Sequence, residues 1–90
     1  MSIEVKFSPI LAKYTNNQRA TEVSGSNVGE CLDHLVKQFP DLKPALFAKD
    51  GKLHRYLDVY INGESAYPEE LVKPVKDGDE LHIVMVIAGG

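Results

Sequence analysis

One amphipathic helix, bounded by Asn27 and Pro40, constrains the fold of this chain more than any other feature of its sequence. Its apolar residues recur at helical spacing and form one stripe: Val28, Cys31, Leu32, Leu35, Val36 and Phe39. Asn27 is suited to accept hydrogen bonds from the free N–H groups of the first turn, and Glu30 to reach back to it as a capping box. Pro40 cannot continue a helix. The pattern therefore predicts a half-buried helix over residues 28–39.

Segments of alternating apolar and polar residues flank this helix and predict strands with one buried face. Strands are expected at residues 3–7, 19–23, 57–61 and 80–87, with a short edge strand near 71–73. Residues 40–54 contain two prolines and an Asp-Gly pair, so a crossover with one short helical turn around 45–47 is expected. This order predicts an α+β fold, in which a mixed sheet of four to five strands packs on one long helix.

The size and charge of the chain narrow its possible partners. A chain of 90 residues with 43% hydrophobic and 26% charged residues is typical of one small domain. We expect this domain to span residues 1–87, followed by a flexible tail at residues 88–90. The net charge of −3 provides no basic field for nucleic acid or an anionic membrane, so neither is expected as a partner. No signal-peptide pattern and no apolar stretch of roughly 18 residues occurs, so a cytoplasmic protein is expected.

The sequence contains no recognisable motif of a catalytic or metal site. Its three histidines are far apart: His34, His54 and His82. None is spaced to share a metal with another ligand on one element, so all three are expected to be solvated. Cys31 lies on the buried helix stripe, where a thiol is unreactive. Asp79 and Glu80 would point to opposite sides of a strand and are expected to form a solvated turn. Binding or carrier function is therefore predicted rather than catalysis.

Three residues are predicted to form an apolar patch on the uncovered face of the sheet. If Leu81 and Ile83 face the helix, Val84 and Val86 point away from it, and Tyr60 on another predicted strand points the same way. An apolar cluster on an uncovered sheet face indicates a docking surface for another protein. The alternative is that valine simply suits a strand and that the helix or a loop covers the patch.

The chain ends in Ala88, Gly89 and Gly90. Two glycines lack Cβ atoms, so they form the thinnest possible thread and adopt backbone angles closed to other residues. With Ala88 included, the extended tail reaches roughly 10 Å beyond the last strand. Such a tail would carry the carboxylate of Gly90 into a partner's active site while the domain stays outside. The alternative is a frayed terminus without a role.

Taken together, the order of elements, the turn at residues 77–80, the strong last strand and the Ala-Gly-Gly end resemble the β-grasp sulfur carriers of the ThiS/MoaD family, which are related in fold to ubiquitin. The resemblance covers the whole chain and is most specific over residues 76–90. Residues 51–56, followed by 59–62, look more like the carriers of thiocarboxylate-dependent cysteine biosynthesis than like the thiamine carrier. The small subunit of molybdopterin synthase shares the final portion.

This resemblance implies a carrier that is the co-substrate of other enzymes. In the family, an E1-like adenylating enzyme uses ATP and magnesium to convert the terminal carboxylate into an acyl-adenylate. A persulfide or another sulfide source then displaces AMP and leaves a thiocarboxylate. By resemblance, Gly90 is the modified residue, Gly89 and Ala88 thread the partner's channel, and the outward apolar patch contacts the E1-like enzyme. The chain itself is expected to bind no cofactor, and a sulfur-accepting synthase is its second partner.

Two other functions remain open from the residues alone. The chain could be a ubiquitin-like modifier whose activated Gly90 is joined to a lysine as an isopeptide. It could also be a non-covalent interaction module with an inert tail. The acceptor of the sulfur stays open as well, because cysteine, molybdopterin and thiamine synthesis use the same donor chemistry.

Overall fold

The alternating segments pair into one five-stranded sheet, and the capped helix is the longest element outside it. This computed structural model describes residues 2–54, 56–67 and 70–85. Its strands and α-helices are β1 (Ile3–Phe7), β2 (Ala20–Val23), α1 (Val28–Gln38), α2 (Leu42–Leu46), β3 (Leu57–Ile61), β4 (Glu64–Ser65) and β5 (Glu80–Met85). The strands lie in the order β2-β1-β5-β3-β4, with β1 parallel to β5 and every other pair antiparallel. The predicted α+β architecture with a mixed sheet is confirmed.

The start of α1 follows the predicted capping pattern with one difference. The Asn27 side chain accepts a hydrogen bond from the Glu30 backbone N–H at 2.8 Å. Glu30, however, reaches back to Ser26 and accepts from both its N–H and its hydroxyl at 2.8 Å. These hydrogen bonds, first from the Ser26 backbone and then from its side chain, lower the pKa of Glu30 below its ordinary value. Asn27 therefore satisfies one free N–H group of the first turn. Glu30 satisfies the two donors of Ser26, the residue before the cap.

The core lies between α1 and one face of the sheet. The helix residues Val28, Cys31, Leu32 and Leu35 are buried, and each is fully excluded from solvent. They share one apolar cluster with the inward residues of the strands, which include Ile3, Val5, Val59, Leu81 and Ile83. Leu42 and Leu46 of α2 close the same cluster at one end. Ile61 and Met85, at the strand ends, are only half-buried.

The connections differ from the prediction in three places. Residues 71–73 do not form a strand, because Glu70–Val72 is a 3-10 helix, and the edge strand is β4 instead. A second 3-10 helix, Pro9–Tyr14, follows β1 and was not predicted. The short helix of the crossover, α2, begins three residues earlier than expected. No helix in the described ranges is long and apolar enough to span a membrane.

The last described strand, β5, occupies the centre of the sheet. It pairs with β1 from Glu80 to Ile83 and with β3 from Leu81 to Met85. Ser8 also donates its N–H to the Ile83 carbonyl at 3.1 Å. Backbone hydrogen bonds therefore hold β5 between two neighbouring strands. Residues 86–90 lie outside the described residues, so the predictions for Val86, Ala88, Gly89 and Gly90 are not tested by the structure.

Candidate functional site

The face of the sheet that lies opposite α1, called the open face below, carries the two described residues of the predicted patch. Tyr60 and Val84 are half-buried and line one shallow depression of about 300 Å³ together with Gly63, Glu80 and His82. Tyr60 lies directly across from His82, and Val84 is the next outward residue along β5. The structure therefore places Tyr60 and Val84 together. The depression is mixed in character rather than purely apolar, because a carboxylate and an imidazole complete its lining.

The strands give the open face an acidic character. Its outward strand residues include four carboxylates and one lysine: Glu4, Glu22, Asp58, Glu80 and Lys6. Lys6 Nζ lies 3.2 Å from Glu80 Oε2, with both side chains 45% exposed, so the pair is screened by water and contributes at most about 1 kcal/mol. Pairing leaves three of the four carboxylates without a compensating lysine among these strand residues. A basic surface on a partner would complement this face.

The turn before β5 is anchored at both ends. Asp77 Oδ1 accepts the Ser2 N–H, and Gly78 donates its own N–H to the Ser2 carbonyl at 3.0 Å. Asp79 Oδ2 accepts the Lys76 N–H at 2.8 Å, which closes the turn on itself. Gly78 adopts φ +89°, a left-handed conformation that favours glycine. The turn chemistry recognised in the sequence thus fixes where β5 begins.

Asn62 and Asp79 form a clamp between the β3–β4 turn and the start of β5. Asn62 Nδ2 donates to Asp79 Oδ1 at 3.0 Å, and Asn62 Oδ1 accepts the Glu80 N–H at 3.0 Å. The hydrogen bond from Asn62, then that from the Lys76 N–H, lowers the pKa of Asp79 below its ordinary value. The expectation that Asp79 and Glu80 form a solvated turn is wrong for Asp79, which is 8% exposed and hydrogen-bonded. Its carboxylate is structural.

Asp58 is a buried carboxylate beneath the open face that sequence reasoning missed. It is 9% exposed, lies across from Val84, and accepts hydrogen bonds from Ser65 Oγ at 2.6 Å and the Val59 N–H at 2.8 Å. Ser65 in turn accepts the Tyr67 N–H at 3.2 Å. This chain of hydrogen bonds holds the short strand β4 against β3. The polar positions of an alternating strand look alike in sequence, so only the fold distinguishes Asp58 from a solvated residue.

Two of the three histidines are half-buried and make structural contacts, so they are less solvated than predicted. His34 Nδ1 accepts the Ser24 N–H at 2.8 Å and so ties α1 to the end of β2. His54 Nε2 lies 3.0 Å from the Pro44 carbonyl, and its ring stacks on Tyr56 at 4.9 Å between centroids. His82 is exposed on the open face, as predicted. Among the described residues, no group of three or more potential metal ligands comes together.

Cys31 is fully buried, as predicted from its place on the helix stripe. Burial, and to a smaller extent the Glu30 carboxylate, raises the pKa of its thiol. A protonated thiol without access to solvent is a poor nucleophile. Cys31 is therefore unsuited to accept sulfur in the folded protein.

Several known proteins are similar to this chain. The small archaeal modifier protein SAMP1 from Haloferax volcanii is 33% identical, with a TM-score of 0.86 and full coverage of both chains. A chain of the BexX/CysO complex from Amycolatopsis orientalis is 34% identical over 98% of this chain and 99% of its own, with a TM-score of 0.86. A protein of Archaeoglobus fulgidus that is provisionally named a sulfur carrier is 37% identical over 46 residues. The chain spans about half the length of that curated relative, 52%, and the match covers 50% of this chain.

These likenesses and the mixed sheet packed on a single long helix define a β-grasp protein with a ubiquitin-like fold, as predicted. The model of the ThiS family matches residues 5–90, which is nearly the whole chain. The chain belongs to the ThiS family.

Proposed function

We propose that this chain carries sulfur as a thiocarboxylate on Gly90 and donates it in a biosynthetic reaction of the cytoplasm. The observation that carries the proposal is the position of β5, which is held on both sides and is followed in sequence by a Gly-Gly terminus in a ThiS-family chain. Five residues follow Met85, and an extended chain of that length spans at most roughly 17 Å. That length is enough for a carboxylate to enter a partner's active site while the sheet stays outside.

The proposed loading reaction proceeds in two steps on a partner enzyme. A carboxylate oxygen of Gly90 attacks the α-phosphate of ATP, pyrophosphate leaves, and the partner's magnesium neutralises the phosphate charge. Hydrosulfide attacks the acyl carbon and displaces AMP; alternatively a persulfide attacks, and a second thiol then cleaves its S–S bond, leaves as a disulfide with the first and frees the thiocarboxylate. The product is a nucleophilic sulfur held on a protein, so free sulfide need not be released. The buried Cys31 is the chain's one cysteine and offers no alternative site for the sulfur.

Intact mass spectrometry tests this loading. The chain is co-expressed with an E1-like adenylating enzyme and should gain the mass difference between sulfur and oxygen, located at Gly90 by fragmentation. A variant lacking Gly90 should fold with an unchanged thermal midpoint yet remain unmodified, because its carboxylate stops short of the partner's nucleotide. Unmodified full-length chain in the presence of active adenylating enzyme, ATP and a sulfide source would refute the proposal.

The open face is the proposed contact surface for the activating enzyme, with Tyr60, Val84 and Val86 as its apolar part. Its carboxylates favour a basic surface on that enzyme, and electrostatic complementarity of this kind mainly raises the association rate. The Val84→Lys substitution places a cation at the centre of this face and should slow adenylation, with an effect that diminishes as salt screens the charge. Val72→Lys is the matched control, because Val72 is 66% exposed on a 3-10 helix away from the open face. Equal adenylation rates for the two variants would exclude the open face as the contact.

The similarity to SAMP1, a modifier by name, supports a second candidate function. In this case a lysine amine of another protein attacks the acyl carbon of the Gly90 adenylate, displaces AMP and forms an isopeptide. Immunoblots of cell lysate for conjugates larger than the free chain separate the two functions, since a carrier gives only the free form.

The pathway that receives the sulfur is proposed to be cysteine biosynthesis, with which the similarity to a chain of the BexX/CysO complex accords. Molybdopterin synthesis is the alternative. Incubating loaded chain with a cysteine-synthase-like enzyme or with a large molybdopterin synthase subunit distinguishes these acceptors.

A further inference from the structure

A second surface, on the helical side of the molecule, is a groove between α1 and the crossover that contains α2. Its volume is about 940 Å³, about three times that of the depression on the open face at about 300 Å³. Its apolar floor consists of Val36, Pro44, Phe47 and Ala48. The open face and this groove lie on opposite layers of the fold, because the groove is lined by α1 and α1 covers the other side of the sheet.

The floor of the groove remains accessible although its residues touch the core. Val36 follows the buried Leu35 at the edge of the α1 stripe and is half-buried. Phe47 ends α2 as its C-terminal cap residue and is also half-buried against the core. Pro44, which lies within α2, is exposed. A concave apolar floor of this kind on a small domain is typical of a site that receives a side chain of a partner.

The rim of the groove carries the opposite sign of charge from the chain as a whole. Lys37, Lys43 and Lys49 line it and are exposed, and Asp33 is the one carboxylate among the described residues of its lining. The whole chain has 10 basic and 13 acidic residues. Three lysines against one carboxylate therefore make a local basic site on an acidic protein. Within the described residues, none of the three lysines takes part in an ion pair.

We propose that this lysine-rimmed groove binds an acidic segment of a partner protein, with an apolar side chain on Phe47 and Val36 and flanking carboxylates on the lysines. The apolar floor favours a peptide over a phosphate polymer, which would leave the floor uncovered and would meet Asp33. Because the groove and the open face lie on opposite sides, one partner can hold the groove while another engages the open face and the terminus. The inference does not depend on the chemistry at Gly90.

The experiment titrates the full chain, labelled with nitrogen-15, with a short synthetic peptide of leucines flanked by glutamates. Amide chemical shifts should change saturably, and the changes should be confined to the end of α1, to α2 and to residues 47–51. Two matched peptides, one with serine for leucine and one with lysine for glutamate, should fail to bind. Binding should also weaken as salt rises from low to high concentration, because the lysine contacts are solvent-exposed.

Two double variants with the same change in net charge complete the test. Lys37→Gln with Lys43→Gln removes two of the three rim lysines and should weaken peptide binding about fivefold, as expected for two exposed ionic contacts. Lys73→Gln with Lys76→Gln, exposed lysines that do not line the groove, should leave it unchanged. The proposal is overturned by the absence of saturable shifts, by equal binding of the serine or lysine peptide, by shifts on the open face, or by equal effects of the two double variants. Self-association through the groove in sedimentation of the free chain would also overturn it, since a second copy would then be the occupant.

Discussion

Replacing Asn62 by glycine and by alanine separates two contributions to stability: the hydrogen bonds of the clamp and the left-handed backbone conformation of residue 62. The Asn62→Gly variant loses the hydrogen bonds to Asp79 Oδ1 and from the Glu80 N–H, both 3.0 Å long. Each such bond contributes about 0.5–1.5 kcal/mol, and water replaces part of it because Asn62 is exposed. We expect the free energy of unfolding to fall by about 1–2 kcal/mol. Glycine adopts the left-handed φ of +51° at this position without strain.

The Asn62→Ala variant loses the same hydrogen bonds and adds backbone strain. Alanine in the left-handed region costs about 1–2 kcal/mol, since its Cβ approaches the following carbonyl oxygen. Alanine also restricts the unfolded chain more than glycine does, which offsets about 0.4–1 kcal/mol. We therefore expect Asn62→Ala to be less stable than Asn62→Gly by about 0.5–1 kcal/mol.

Urea unfolding followed by circular dichroism measures both differences, and thermal midpoints should fall by about 4–8 °C per kcal/mol for a domain of this size. An Asn62→Gly variant as stable as the parent would show that the clamp does not stabilise the fold. An Asn62→Ala variant at least as stable as Asn62→Gly would refute the strain at φ +51°. Unchanged slopes of free energy against urea are needed for either comparison.

Acid supplies an independent test of the same clamp. The pKa of Asp79 is lowered in the folded protein, first by Asn62 and then by the Lys76 N–H. A lowered folded pKa means that the ionised carboxylate stabilises the fold above its unfolded pKa of about 4, and that this stabilisation is lost as pH falls through the folded pKa. The stability difference between the parent and Asn62→Gly should therefore narrow below about pH 4. A constant difference across that range would exclude the Asn62–Asp79 interaction as its source.

Three further outcomes are expected. Gly29→Ala should lower the thermal midpoint, although alanine is the better helix former, because its Cβ would lie 2.9 Å from the Leu71 carbonyl oxygen; a raised midpoint would contradict this packing. Cys31 should resist a thiol reagent in the native protein and react once per chain in denaturant, and fast native labelling would contradict its burial. Glu30→Gln should lower the midpoint at pH 7 but much less at pH 3, since the lowered pKa of Glu30 makes its contribution present above about pH 4 and absent in acid.

Local signals in the sequence predicted the elements that dominate the fold. The stripe and cap of α1 lie within one continuous segment, so the expected bounds of 28–39 differ from Val28–Gln38 by one residue. The Asn62–Gly63 pair is of the type that favours a two-residue hairpin turn, and both residues have the positive φ that such a turn between β3 and β4 requires. Strand alternation likewise predicted which side of β5 faces the core.

Contacts between distant residues were the part that sequence reasoning could not supply. The pairing of Asn62 with Asp79 joins residues 17 positions apart. Nothing in the sequence distinguishes either side chain from one that faces water. The edge strand was misplaced because Leu71 and Val72 suggest a strand, whereas their neighbours place them in a 3-10 turn against the start of α1. The mixed polarity of the depression around Tyr60 depends on the register between β3 and β5, which only the folded sheet defines.

The central position of β5 has a consequence for folding during translation. Without β5 the sheet falls into two unconnected pieces, β2 with β1 and β3 with β4, because β5 is the strand that both β1 and β3 border. A nascent chain that lacks this strand has no partner for the inner edge of either piece, and short two-stranded pieces are not stable alone. We therefore expect the sheet to fold only after translation has delivered β5, and a product truncated before β5 to be removed by proteolysis.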